Sequence, residues 1–307
     1  MAHGALRSYW RILLPTLLLG LLATACVTPS ALPKLTAELS VPATSNERCL
    51  TIVRRLRHAD LRQTGSALVD LLASERFQFP RYIPSGCEDA NPRIEVRIQT
   101  AVHEIFEAYF AGPGTEAEKA EFLCQLLGSR HDTEGRAVLL RYLEHECWHP
   151  VAEAPVAALA TGPNTPPELR VIALSLLIRR CDPNRYCTQG VALIGEWPLH
   201  QTEQLCASEG REMVFRNIVG AADWSALSAS NRDQFIRIGF KTVREGRSIS
   251  PVYGYFVACQ LGSALKIQGC FKPDQSAPQY QGEGRLKESF FEDTVRNALA
   301  WADANGY

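Results

Sequence analysis

The sequence lacks most of the short motifs that identify common classes of enzyme. It contains no Gly-x-Ser-x-Gly elbow, no phosphate-binding glycine loop and no EF-hand pattern. It also has no Cys-x-x-Cys pair, which is the spacing typical of disulfide oxidoreductases and of many zinc sites. A catalytic Ser/His/Asp arrangement dispersed along the chain leaves no such motif, so it stays open at this point.

An excess of charge of either sign is missing too. The formal net charge is −1, which gives no electrostatic reason to expect a nucleic-acid partner. Alternation of apolar and polar residues, the pattern of a half-buried strand, is confined to a short stretch at 93–98. The hydrophobic fraction of 46% is ordinary for a globular protein and allows a sizeable core.

A hydrophobic run long enough to make a stable membrane span is also absent. The longest apolar stretch, at 12–26, is too short for one, and it follows Arg7 and Arg11. A basic start followed by a short apolar run is typical of an export signal.

The export segment ends in Leu22-Ala23-Thr24-Ala25-Cys26, which resembles the bacterial lipoprotein signal. The resemblance implies that residues 1–25 are removed and that Cys26 becomes the lipidated N-terminus, with diacylglycerol on its sulfur and an acyl chain such as palmitate on its amine. It places the protein in a bacterial cell envelope. Val27 stands where an Asp would retain the protein in the inner membrane, which favours the outer membrane. An ordinary cleaved signal and an uncleaved anchor are the alternatives.

Ten cysteines are many for a cytosolic protein and ordinary for an exported one. Lipidation of Cys26 leaves nine, an odd number, so at least one would be unpaired or intermolecular unless Cys26 itself pairs. Two pairs are close enough along the chain to form local disulfides, namely Cys181 with Cys187 and Cys259 with Cys270.

Helical periodicity dominates the rest of the chain and predicts an all-α fold. Residues 26–45, rich in Pro, Ser and Thr, predict a flexible tether. Residues 46–219 predict a series of helices separated by Gly, Pro and Asn, beginning near Asn46. Residues 220–307 predict a C-terminal helical region, with helices at 229–246, 250–266 and 286–303, that caps the stack.

Two segments suggest that the helices repeat. Residues 95–101 resemble residues 168–174, 73 positions later, which divides into two units of the length of a helical hairpin. Residues 167–177 look like the first helix of a HEAT-type repeat. The resemblance implies stacked hairpins, that is, a HEAT-like α-solenoid, which here would contain disulfides.

A run of basic residues occurs in the first helical segments. Arg54, Arg55, Arg57 and Arg62 lie close together and, near a lipid anchor, would be placed to contact anionic headgroups. A solvated helix face is the more common use of such a run.

One five-residue motif points to metal chemistry. His145-Glu146-Cys147-Trp148-His149 matches the His-Glu-x-x-His pattern of zinc peptidases, in which two histidines on one helix face share the metal. The resemblance implies His145, His149 and Glu168 as ligands and Glu146 as general base. Against it, Pro150 would stop the helix directly after the motif. A surface or interhelical histidine pair is the competing interpretation.

We therefore expect a lipid-anchored binding or scaffold protein that uses a helical-repeat surface. The expected partners are the membrane, through the anchor, and an envelope protein or peptide. No cofactor is expected under this interpretation. The alternative is a zinc-dependent metallopeptidase that uses the motif at 145–149.

The lipoprotein signal predicts the outcome of one substitution. Cys26→Ser should abolish incorporation of radiolabelled palmitate and shift the protein out of the membrane fraction, because the acylated thiol is gone. Cys87→Ser, which alters a later cysteine, should leave both unchanged. Label retained in Cys26→Ser would contradict the assignment.

Overall fold

The described part of the chain is almost entirely helical. The computed structural model describes residues 29–74, 93–199, 210–250, 252–270, 280–281, 285–286 and 288–307. Its only strands within these ranges are Tyr280–Gln281 and Arg285–Leu286, which pair antiparallel. No helix in these ranges is both long enough and apolar enough to cross a membrane. The predicted all-α class is confirmed.

Contacts divide the chain into two compact units, and the boundary along the chain lies between Ala152 and Glu153. A 3-10 turn at Pro29–Ala31 begins the described part of the first unit, and another at Pro150–Ala152 ends it. Its helices are α1 Leu32–Leu39, α2 Asn46–Leu56, α3 Leu61–Ala73, α4 Ile94–Ala111, α5 Glu116–Ser129 and α6 Thr133–His145.

The second unit holds the remaining helices. These are α7 Glu153–Thr161, α8 Pro167–Arg180, α9 Pro183–Glu196, α10 Arg211–Ala221, α11 Ala229–Arg247, α12 Tyr255–Leu265 and α13 Glu288–Ala304. The boundary predicted between residues 219 and 220 therefore falls inside α10. That helix packs on α8 and α12, so the contacts continue across the predicted boundary.

The predicted tether at 26–45 needs a correction. Residues 32–39 of this stretch form α1, which packs on α3 and buries Leu32, Leu35 and Leu39. Pro33 does not prevent the helix because it lies in the first turn, where a backbone N–H has no intrahelical acceptor. The three leucines recur at helical spacing, and their burial gives the segment a fixed place in the fold.

Charged side chains tie the helices of the first unit together. The Arg130 guanidinium, only 7% exposed, lies 2.7 Å from Asp70 in α3 and 2.8 Å from Asp132 at the start of α6. The Lys119 ammonium donates to the carbonyl oxygens of Phe110 and Gly112 at the end of α4, at 2.6 and 2.8 Å. Both cations are buried and both have hydrogen-bond partners, as a buried charge requires.

An aromatic core and one buried carboxylate organise the second unit. Phe215, Phe235 and Phe240 are fully buried. Glu212 in α10, 1% exposed, accepts a hydrogen bond of 2.8 Å from the Phe256 backbone N–H in the first turn of α12. Burial raises the pKa of this carboxyl, while the backbone N–H donors at the helix start oppose the rise. The side chain thus caps α12 from within the core.

The predicted disulfides need a second correction, because the structure shows none among the cysteines that it describes. Cys181 follows α8, whereas the Cys187 thiol, inside α9, donates to the Asn231 carbonyl oxygen in α11 at 3.6 Å. The Cys270 thiol likewise donates to the Thr294 carbonyl oxygen in α13, at 3.4 Å. Tertiary contacts, rather than the nearest cysteine in sequence, decide where these thiols point.

The close packing of α11 against Tyr253 predicts a large effect of one added methyl group. A Cβ at Gly246 would lie 1.5 Å from the fully buried Tyr253 ring. Gly246→Ala should destabilise the protein by about 1–3 kcal/mol, the usual cost of overpacking, and lower the midpoint of urea denaturation followed by circular dichroism.

A matched control exists in the same unit. At Gly195, near the end of α9, an added Cβ meets only Ile238 at 3.7 Å, an ordinary contact. Gly195→Ala should leave the midpoint unchanged or raise it, because alanine is favoured over glycine within a helix by about 0.5–1 kcal/mol. Equal midpoints in the two variants would show that Tyr253 does not constrain position 246.

Candidate functional site

The first unit contains an open cavity between α2 and α4, which we call the basic groove. Its volume is about 560 Å³. One side is formed by α2 and the residues directly after it, and the other by the first half of α4. The lining residues are Val53, Arg54, Arg57, His58, Val96, Arg97, Thr100, Ala101 and Glu104.

Local interactions place the two helices side by side. The Ser45 side chain caps the start of α2 by accepting from the Arg48 backbone N–H. The neighbouring Asn46 amide donates a hydrogen bond of 2.7 Å to the Glu95 carboxylate in the first turn of α4. The two helices therefore begin together and run in the same direction, and the basic groove lies farther along between them.

The basic groove is rich in arginine without matching acids. Arg54, Arg57 and Arg97 form no ion pair within the described ranges, and all three are exposed. Glu104 is the single carboxylate among the lining residues. By contrast, Arg48 on the same helix pairs with Glu38, a carboxylate at 2.6 Å. The lining therefore has an excess of positive charge.

Sequence reasoning found only half of this site. Arg54 and Arg57 belong to the basic run noted above, but Arg55 and Arg62 of that run do not line the cavity. The contribution of α4 was missed. The signal was present, because Arg97, Thr100 and Glu104 are three and four residues apart and so share one face of a helix.

The zinc motif does not have the geometry on which the zinc hypothesis depends. Helix α6 ends at His145, and the Glu146 backbone N–H makes the last helical bond, to the Tyr142 carbonyl oxygen. His149 lies beyond the helix, where its Nδ1 accepts from the Val151 backbone N–H at 3.3 Å. The two histidines are therefore not one turn apart on a helix face.

The other proposed zinc residues do not complete a metal site among the described residues either. The His145 side chain is 63% exposed, and its nearest acid is Glu144, at 3.8 Å. Glu168 lies in the first turn of α8, in the second unit. Within the described part of the chain, no group of three or more His, Cys, Asp or Glu side chains is arranged to hold a metal ion.

Glu146 instead belongs to the surroundings of a histidine in α4. The Tyr142 hydroxyl and the His103 Nδ1 are 2.6 Å apart, and the Tyr142 ring stacks on Phe106 with centroids 4.5 Å apart. Partial burial lowers the pKa of His103, while the negative charges of Glu107 and Glu146 oppose this change. Burial raises the pKa of Tyr142, so its hydroxyl stays protonated at neutral pH, and the imidazole tautomer decides which of the two groups donates.

The cysteine within the motif is not a reactive group. Cys147 is 3% exposed, and burial, with a smaller effect of the Cys124 thiol, raises its pKa to about 12. Because the thiolate is the nucleophile and the metal ligand, a thiol with this pKa is inert at neutral pH.

Comparisons with known proteins identify no relative for this chain. No protein-family model matches it, and no match was found among curated proteins or solved structures. The site must therefore be interpreted from its own chemistry.

The surroundings of His103 predict how the motif glutamate acts. In an NMR titration, we expect His103 to have a pKa below the usual value of about 6.5, and Glu146→Gln to lower it further, because a carboxylate that favours the imidazolium is removed. The lowered pKa of His103 also determines how stability changes with pH. As pH falls below about 6.5, the unfolded chain binds a proton at this histidine more readily than the folded one, so stability decreases.

Glu134→Gln is the control, since Glu134 lies in the first turn of α6, far from its C-terminal end. It should leave the His103 titration unchanged. An unchanged pKa in Glu146→Gln would contradict this account, as would stoichiometric zinc that is lost in a His145→Ala, His149→Ala variant.

Proposed function

We propose that this protein is a lipid-anchored binding protein of a bacterial cell envelope and that the basic groove is its binding site. The ligand under this proposal has a negatively charged group. The single observation that supports it most strongly is that three arginines around one cavity have no acid partner among the residues that the structure describes.

The charge of the groove persists at all physiological pH values. The arginine guanidinium is not deprotonated in proteins. Arg54, Arg57 and Arg97 therefore provide a permanent positive potential in a cavity that Val96 makes partly apolar. Such a cavity attracts anions and strengthens their hydrogen bonds by excluding part of the water.

The pattern of helix contacts supports the stacked-hairpin part of the proposal. In the second unit, α8 contacts α10, α9 contacts α11 and α10 contacts α12, in addition to neighbours in sequence. In the first unit, α1 contacts α3 and α2 contacts α4. Contacts between next-but-one helices are typical of hairpin repeats, in which each hairpin buries its apolar face on the next one.

The proposed anchor would hold the first unit close to the membrane. Only Val27 and Thr28 separate Cys26 from Pro29, the first described residue, so the three Cα–Cα steps between them extend at most about 11 Å. Lipid on Cys26 would thus place the first unit within reach of the headgroups, at the outer membrane if Val27 has the effect described above. An envelope protein or peptide with acidic residues is a partner that this site suits.

The proposal predicts that anion binding depends on which arginine is lost. We would measure binding of two probes by calorimetry, inorganic phosphate and a tetraglutamate peptide. At least one should bind the parent chain, and Arg54→Gln should weaken it about tenfold, because a charge-assisted hydrogen bond contributes about 1.5 kcal/mol.

Arg55→Gln is a matched control with the same change in charge on the next residue of α2. Arg55 is exposed but does not line the cavity, so this variant should bind as the parent does. Equal losses in the two variants would show attraction to net charge rather than to the groove. Failure of both probes to bind the parent chain would overturn the assignment of the site.

A further inference from the structure

The ligand of the basic groove can be named by class, on the basis of the function proposed above. We infer that the groove binds the phosphate of an anionic phospholipid headgroup in the membrane to which Cys26 is anchored. The inference rests on where the groove lies in the first unit and on the chemistry of its lining.

The first two helices form an antiparallel hairpin. Arg48, near the start of α2, bonds Glu38, near the end of α1, at 2.6 Å, so these two ends lie together. At about 1.5 Å per residue, α1 spans about 12 Å and α2 about 16 Å. The end of α2 therefore returns to the level at which α1 begins.

The anchor enters at that same end of the hairpin. Helix α1 begins at Leu32, six residues after Cys26. Arg54 and Arg57 occupy the last turn and the C-cap of α2. They therefore lie at the end of the hairpin to which the lipid would be attached. Lys34, exposed in the first turn of α1, adds a further positive charge there.

The lining offers the donors that a phosphate diester requires. Guanidinium groups are planar and donate paired hydrogen bonds that match two phosphate oxygens. Thr100 lines the same cavity and adds a hydroxyl. Val96 and Ala101 give the cavity an apolar part that suits the glycerol portion of a lipid.

The dimensions favour one headgroup over an extended acidic segment. The lining residues of α4, from Val96 to Glu104, cover about 12 Å along the helix. A peptide with several carboxylates in this length would bring one of them near Glu104, and like charges repel. A single phosphate brings one anionic group instead of several, so it meets less of this repulsion.

The test uses the predicted mature chain from residue 26, which contains every described residue, with Cys26→Ser so that no lipid is attached. Flotation would measure its binding to vesicles of phosphatidylcholine alone and to vesicles with a third of phosphatidylglycerol. We expect binding to the anionic vesicles only. Arg54→Gln with Arg97→Gln should weaken it about fivefold for each arginine removed.

Two comparisons separate the groove from general charge. Arg55→Gln with Arg93→Gln removes the same charge from the same two helical segments, outside the lining, and should weaken binding much less. Glu104→Gln should strengthen binding about fivefold. The gain should be absent on vesicles of phosphatidylcholine alone, which a misfolded variant would also bind through its exposed apolar surface.

The remaining outcomes distinguish the inference from the proposed function. Groove-dependent binding of inorganic phosphate without vesicle binding would identify a soluble phosphate ligand and overturn the membrane assignment. Groove-dependent binding of tetraglutamate alone would overturn the inference and leave the proposed function. Equal losses in the two double variants would show non-specific attraction. No binding of any probe or vesicle would overturn both.

Discussion

Burial of one face of α2 determines the geometry of the basic groove. Ile52, Val53 and Leu56 are fully buried, and each buried aliphatic side chain contributes about 1.5–3 kcal/mol. Because successive residues are separated by 100° around the helix, this burial turns Arg54 toward solvent, while Arg57 is exposed as the C-cap at the end of the helix. Rotating α2 to hide the arginines would expose the aliphatic residues, so packing in the core fixes the position of the charges.

Hydrophobic periodicity was sufficient to predict the helices themselves. The helix expected at 229–246 is Ala229–Arg247, and the one expected at 286–303 is Glu288–Ala304. In both segments a long apolar pattern with flanking Gly, Pro or Ser leaves little choice of structure. A short helix such as α1 escaped prediction because Pro33 and the prolines and serines that flank the helix suggest a linker, unless one knows that α3 covers its leucines.

The candidate site was harder to predict because it depends on contacts between segments distant in sequence. Arg54 and Arg97 are brought to one cavity only by the pairing of α2 with α4, and no local pattern specifies that pairing. At the motif at 145–149, by contrast, the sequence suggested a site that the structure does not form. Its residue types suit zinc, yet helix α6 ends at His145. Pro150 contributes to this ending, because a proline disfavours helical backbone in the residues before it. Two residues four positions apart share one face only if the helix continues through both of them.

The proposed anchor and groove would have different physical roles. Two or more acyl chains already give stable attachment, since each buried methylene contributes about 0.8 kcal/mol. Three arginines near an anionic surface add only about 1 kcal/mol each, so they would change retention at the membrane little. A single attachment point near Pro29, however, leaves the first unit free to rotate about it. A second contact through Arg54 and Arg57 would select one orientation, because a few kcal/mol suffice to make one arrangement dominant. On this argument the groove orients the protein, while the lipid retains it.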